Sequence, residues 1–173
     1  MKIISTRVRA LILACLTGAL ILGVAAPAFG HASVNLYGST AKADGYGAFW
    51  VRIGHGCEDD KGKPVAVNKV TVFLQGAFQS GKPQQIAGWT SSVVQLKNNG
   101  GYRLDWVATG DALRDDEFQD FGISTKYPMS AGTYRVPAIQ YCGAYKTAWV
   151  EKDHAADHPA ATITVGAAAT SSH

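Results

Sequence analysis

The chain has 173 residues, with 16 Lys and Arg, 13 Asp and Glu, and a formal net charge of +3 at pH 7. Lys2, Arg7 and Arg9 carry the whole excess, so the sequence from residue 31 onward is formally neutral and gives neither nucleic acid nor an anionic membrane surface an electrostatic grip. That length suits one ordinary domain with a core of its own and argues against a second.

Residues 1–30 read as a cleavable export signal. Lys2, Arg7 and Arg9 form a positive start, the run 10–25 is almost wholly apolar, Pro27 breaks it, and Ala28 and Gly30 are the small residues that signal peptidase requires. The cut is expected between Gly30 and His31, which makes His31 the first residue of a mature chain in the periplasm or outside the cell. No later apolar run is long enough to span a bilayer. Cys15 lies inside the apolar run and leaves with it; as a lipidation site it would be expected after that run, not within it. Cys57 and Cys142 remain as an even pair in an oxidising space and are expected to form a disulfide, with a copper(I) thiolate pair as the alternative.

From residue 31 the pattern is one of short β-rich runs punctuated by Gly, Pro, Asn and Asp, with no helical period of useful length. The predicted strands are 33–37, 46–53, 68–75, 85–90, 93–97, 102–108, 118–125, 133–141, 146–151 and 162–165. In the third, Val70, Val72 and Leu74 face one side and Lys69, Thr71 and Phe73 the other. Asn98-Asn99-Gly100-Gly101 is a hairpin turn, because Asn and Gly tolerate positive φ. The acidic stretch 111–117 lacks the spacing and turn glycine of a calcium loop and is expected to be solvated. Residues 166–173 read as a disordered tail. Many short strands at regular spacing predict an all-β, immunoglobulin-like β-sandwich forming a single domain over 31–165.

Once freed, the His31 α-amine and imidazole Nδ1 can close a chelate ring on one ion, and imidazole suits copper, which heads the divalent affinity order. The ordinary alternative is a frayed, solvated terminus. A second constellation is Asp153-His154-Ala155-Ala156-Asp157-His158-Pro159. Two histidines four apart share a helix face, but Pro159 and the shortness of the segment argue for a solvated loop with adventitious metal affinity.

The mature start His31-Ala32-Ser33-Val34, the segment 46–57 (YGAFWVRIGHGC), Gly88-Trp89-Thr90, Trp106, Phe118 to Phe121 (FQDF) and the run 138–149 (AIQYCGAYKTAW) together resemble the YcnI-like family of bacterial copper-binding proteins, in that family's order and with similar spacing. The resemblance implies an exported β-sandwich whose N-terminal histidine binds copper(II) through amine and imidazole, a one-histidine brace. It implies that Trp149 lies beside the metal, where an indole with no basic nitrogen walls the site and restricts solvent. His55 resembles the histidine of a branch carrying His-Gly-Cys and is a further ligand candidate. Asp120 and Glu58 are acidic candidates, since Gly47 stands where many members carry a carboxylate.

The expected function is therefore copper(II) binding by a carrier or chaperone, not an enzyme, that passes the ion to a copper-transport or copper-enzyme partner. Two alternatives stand beside it: a copper monooxygenase, whose brace needs a second histidine from the body of the domain, and a metal-free assembly module. No nucleophile–base pair, phosphate-cradling loop or cofactor fingerprint is present in the sequence.

Overall fold

The protein is described by a computed structural model over residues 30–168. The expected export signal, apart from Gly30, and residues 169–173 of the expected tail lie outside the described residues. Thirteen strands follow in order: β1 (Ser33–Asn35), β2 (Tyr46–Ile53), β3 (Cys57–Glu58), β4 (Pro64–Val65), β5 (Lys69–Leu74), β6 (Lys82–Pro83), β7 (Trp89–Gln95), β8 (Tyr102–Ala108), β9 (Gln119–Lys126), β10 (Gly132–Val136), β11 (Ala138–Cys142), β12 (Tyr145–Trp149) and β13 (Ala161–Val165). One sheet has the order β1-β2-β9-β6 and the other β12-β11-β5-β8-β7, with two-stranded ladders β10-β13 and β3-β4. The strand pairs are antiparallel.

Alternation builds the core. Phe49, Val51 and Ile53 of β2 and Phe121 and Ile123 of β9 meet Val70, Val72 and Leu74 of β5 and Leu104 and Trp106 of β8, all buried in one cluster. Trp106 and Trp89 both pack on Phe121 across the gap, with ring centroids 5.4 and 5.2 Å apart, so the two sheets lie face to face. On the far side of β5, Lys69 and Phe73 are half-buried. Thr71 is buried there, and its hydroxyl donates to Asp105, which Lys69 and Arg103 neutralise.

Several boundaries differ from the sequence reading for physical reasons. The run 133–141 splits at Pro137, which has no N–H for a ladder: β10 pairs with β13, β11 joins the second sheet, and the Pro137 carbonyl accepts from Phe73 N–H at 2.9 Å. The runs 85–90 and 93–97 become the single edge strand β7, entered by a turn at Gly88 with φ 77°. Strands β3, β4 and β6 are two residues long, too short to leave a period in the sequence. The Asn98–Gly101 turn joins β7 to β8 as expected, with Asn98 and Asn99 at φ 55° and 54°. In the acidic stretch, Arg114 pairs with Asp116 and Glu117 while Leu113 is buried and bridged to Val67. The backbone ladder continues one residue past the expected domain end, since Gly166 exchanges bonds with Ala41 and Ala43.

Cys57 and Cys142 are bonded to each other, with Cα atoms 5.9 Å apart. The bridge joins β3 to the end of β11 and so fastens the loop 54–57 to the second sheet.

Candidate metal centre

Trp149 is the last residue of β12, an edge strand, opposite Ala138 of β11. On β11 the residues Ala138, Gln140 and Cys142 alternate inward, so Gln140 is buried between a small side chain and the disulfide, at 1% exposure. A buried amide needs partners, and Gln140 has them in both directions. Trp149 Nε1 donates to its Oε1 at 3.0 Å, while its Nε2 donates to the Gly56 carbonyl at 2.9 Å and lies 3.3 Å from the His55 carbonyl. One side chain thus ties the indole to the loop that carries His55.

That loop also orients the imidazole. His55 Nδ1 sits 2.5 Å from the Gly56 carbonyl oxygen. A carbonyl can only accept, so in the neutral ring Nδ1 carries the proton and the Nε2 lone pair is left free, the arrangement used by metal-ligating histidines whose other nitrogen is held by the backbone. Asp115 accepts from Gly56 N–H at 3.0 Å and lies 3.8 Å from His55 Nδ1, so it steadies the same turn. Nε2 points at residue 30: a Cβ built on Gly30 would stand 2.7 Å from it.

His31 itself precedes the buried Ala32, and the β1–β2 ladder, with Ser33 opposite Arg52, fixes its exit from the sheet. Its ring is exposed and packs on Trp149 with centroids 5.4 Å apart. His55 meets the same indole edge-on at 6.4 Å. Three of the residues singled out in the sequence, His31, His55 and Trp149, are therefore gathered at one end of the sandwich. A fourth group joins them that the sequence reading assigned to a solvated loop: the His158 ring lies 5.1 Å from Trp149.

The acidic candidates are elsewhere engaged. Asp120 is held by two bonds from Arg52, 2.8 and 2.9 Å long, and by the Tyr37 hydroxyl. Burial alone would push its pKa up, but the Arg52 and Tyr37 hydrogen bonds outweigh it and hold the carboxyl below its ordinary range. Glu58 is exposed on β3 opposite Pro64. Gly47 has a packing reason of its own, since a Cβ there would come within 2.7 Å of the buried Tyr127 ring. Among the described residues, no three His, Cys, Asp or Glu side chains group closely enough to hold an ion unaided. A donor set fitting copper(II) would therefore need the terminal amine. The nitrogen chemistry fits: a terminal amine with its own imidazole, plus a lone pair on His55 Nε2, are donors suited to that ion.

Residues 31–165 match the family model described as "Domain of unknown function (DUF1775)". The chain belongs to this family, which is the YcnI-like family that its motifs resemble. Among solved structures it is similar to an uncharacterized protein from Nocardia farcinica, whose crystal structure is described as revealing an immunoglobulin-like fold. That match has a TM-score of 0.64 at 25% identity, covering 79% of this chain and 98% of the other. The all-β, immunoglobulin-like architecture expected from the sequence is thereby established. No curated protein matches the chain.

Proposed function

We propose that this chain is an exported copper(II)-binding protein, a carrier or chaperone that takes up the ion at a mature His31 terminus and passes it to a copper-transport or copper-enzyme partner. The observation that carries the reading is the meeting of His31 and His55 on one indole: both rings pack on Trp149, and His55 Nε2 stands 2.7 Å from where a Cβ on Gly30 would lie, beside the residue that export cleavage would remove. In the cleaved chain His31 offers its amine and Nδ1, and His55 offers Nε2 from the far side of the same opening. Copper(II) bound there would accept these nitrogens in place of water. Trp149, 3% exposed and anchored through Gln140, forms the apolar floor and fixes the distance between the two histidine-bearing segments. Asp120 stays with Arg52 and is not asked to ligate.

The same observation favours a second reading, an oxygen-activating copper enzyme, because such a brace requires a second histidine and His55 meets that requirement. The carrier reading is preferred because His31 is exposed at the centre, open to a partner that would receive the ion. A cavity lined by Trp89, Leu113, Phe118 and their neighbours includes none of His31, His55 and Trp149.

Copper(II) titration of a chain that starts at His31, against one that retains Gly30 before it, tests the proposal. The retained glycine turns the amine into an amide and keeps residue 30 against His55, so binding should weaken by orders of magnitude. Because protons compete at amine and imidazole together, affinity should also fall below neutral pH more steeply than for a single imidazole. Equal affinity for the two chains would refute the terminal site.

A further inference from the structure

We infer that β7 is a self-association surface: two copies of this chain pair antiparallel, β7 against β7, with Val93 on the two-fold axis. The inference is independent of the copper reading, because β12, which ends at Trp149, is the opposite edge of the same sheet.

An edge strand shows a row of unpaired N–H and C=O groups, and proteins ordinarily guard it by shortness, charge, proline or cover. Three edges of the two large sheets are guarded in this way. β6 is two residues long and includes Pro83, β1 is three residues long and lies beside β13, and β12 carries Lys146 and has β3 against it. Among the described residues, β7 has none of these protections. It runs for seven residues, Trp89–Gln95, without charge, proline or glycine, and every residue after Trp89 is exposed, Val93 at 43% and Val94 at 44%.

The hydrogen-bond phase of β7 sets the register. Thr109 N–H donates to the Gly88 carbonyl and Leu96 N–H to the Gly101 carbonyl, each at 2.8 Å. Successive residues of an antiparallel strand turn their backbone groups to opposite sides, so Thr90, Ser92 and Val94 bond β8 in phase with Gly88 and Leu96, while Ser91, Val93 and Gln95 turn theirs away from it. A two-fold axis through Val93, perpendicular to the sheet, brings these three residues onto the same three of a second copy. Val93 then meets Val93, Ser91 meets Gln95 in both directions, and each outward N–H finds a carbonyl.

The charge pattern selects the occupant. In this register Ser92 comes opposite Val94 and Thr90 opposite Leu96, all uncharged, and the nearest charge, Lys97, comes level with Trp89 of the second copy rather than with another cation. The exposed valines cover one another. An arriving strand must itself be an open edge, and β7 is the long unguarded edge that the two large sheets of this chain offer. Pairing joins the five-stranded sheets of both copies into one and leaves the β12 end of each uncovered.

The experiment takes the chain from residue 31, with a chelator present, through sedimentation equilibrium and through amide hydrogen exchange at low and high concentration. A small strand-to-strand interface pairs weakly, so a reversible monomer–dimer equilibrium with a dissociation constant below about 1 mM is expected. The amides of Ser91, Val93 and Gln95 should exchange more slowly as concentration rises, while those of Ser92 and Val94, already bonded to β8, should not change. Val93→Lys and Val93→Glu each set like charges face to face on the axis and should each weaken pairing at least about tenfold, whereas an equimolar mixture of the two should regain it. A chain still monomeric at about 1 mM would overturn the inference and leave β7 open to a strand of another protein. A dimer that both variants leave unchanged, or a mixture that pairs no better than either variant alone, would also overturn it, since Val93 would then not face itself. Val93 is exposed, so melting curves of both variants should match the parent's; the exchange pattern of the parent tests the pairing without any substitution.

Discussion

Replacing Gln140 with leucine changes little in volume and removes both of the bonds that couple Trp149 to the His55 loop. On one side the Trp149 Nε1 proton loses its acceptor while the indole stays 3% exposed, so a buried donor is orphaned. On the other side the Gly56 carbonyl keeps His55 Nδ1 and is only partly deprived. An unsatisfied buried polar group costs about 1–3 kcal/mol; one full orphan and one partial one give roughly 2–3 kcal/mol of lost stability. With a urea m-value of about 1–3 kcal/mol/M, the unfolding midpoint should drop by about 1 M or more at unchanged m. The double variant sharpens this. Trp149→Phe removes the orphaned N–H, so Gln140→Leu should be markedly less costly in that background, a positive coupling of the kind that contacting residues show. A loss below about 0.5 kcal/mol, or strictly additive effects of the two substitutions, would refute the coupling read from these bonds. Copper(II) affinity should fall about 10–100-fold in Gln140→Leu, because the His55 loop would lose a support that orients its imidazole.

Two further outcomes concern the scaffold. Reduction of the Cys57–Cys142 bridge, or Cys57→Ala with Cys142→Ala, opens a loop spanning a sequence separation of 85 residues, which chain entropy values at roughly 4–5 kcal/mol; a melting temperature unchanged on reduction would contradict it. Asp105 is nearly buried, and that burial alone would raise its pKa, yet the Thr71 hydroxyl, Lys69 and Arg103 together hold it below the ordinary carboxylate value. Its contribution is therefore full above about pH 4, where the unfolded carboxylate is also ionised, and is lost as pH falls through the lower folded value. The urea midpoint of the parent should drop further between pH 6 and pH 3 than that of Asp105→Asn, and equal drops would refute the assignment.

The sandwich was legible because its central strands alternate cleanly: β2 and β8 were bounded correctly from Tyr46–Ile53 and Tyr102–Ala108, and β5 to within a residue at each end. What was not legible has no local signal. Ser91 and Ser92 sit in the exposed edge strand β7, where no buried face forces alternation, so one strand read as two. The switch of sheets at Pro137 depends on which strands lie alongside, and that is a property of the assembled fold. Thr71 shows the same limit from another side, since only the arrival of Asp105 opposite it on β8 makes its burial tolerable.

At the candidate site the split is sharper. His31, Trp149 and the two cysteines came from position and motif, and His55 came with the His-Gly-Cys pattern. Gln140 carried a signal that went unused: in Ala138-Ile139-Gln140-Tyr141-Cys142 it shares a face with the small Ala138 and the bridging Cys142, so an amide stood where only a buried residue fits and required a partner on another element. His158 carried no such signal. Its approach to Trp149 depends on the backbone bonds that fold Val150 and Glu151 back onto residue 158, and neither charge nor periodicity announces a closure of that kind. The asymmetry follows from what each residue answers to. Gln140 obeys a strand's period, which is written locally, whereas His158 obeys a loop closure, which is decided only when the chain has already folded around the indole.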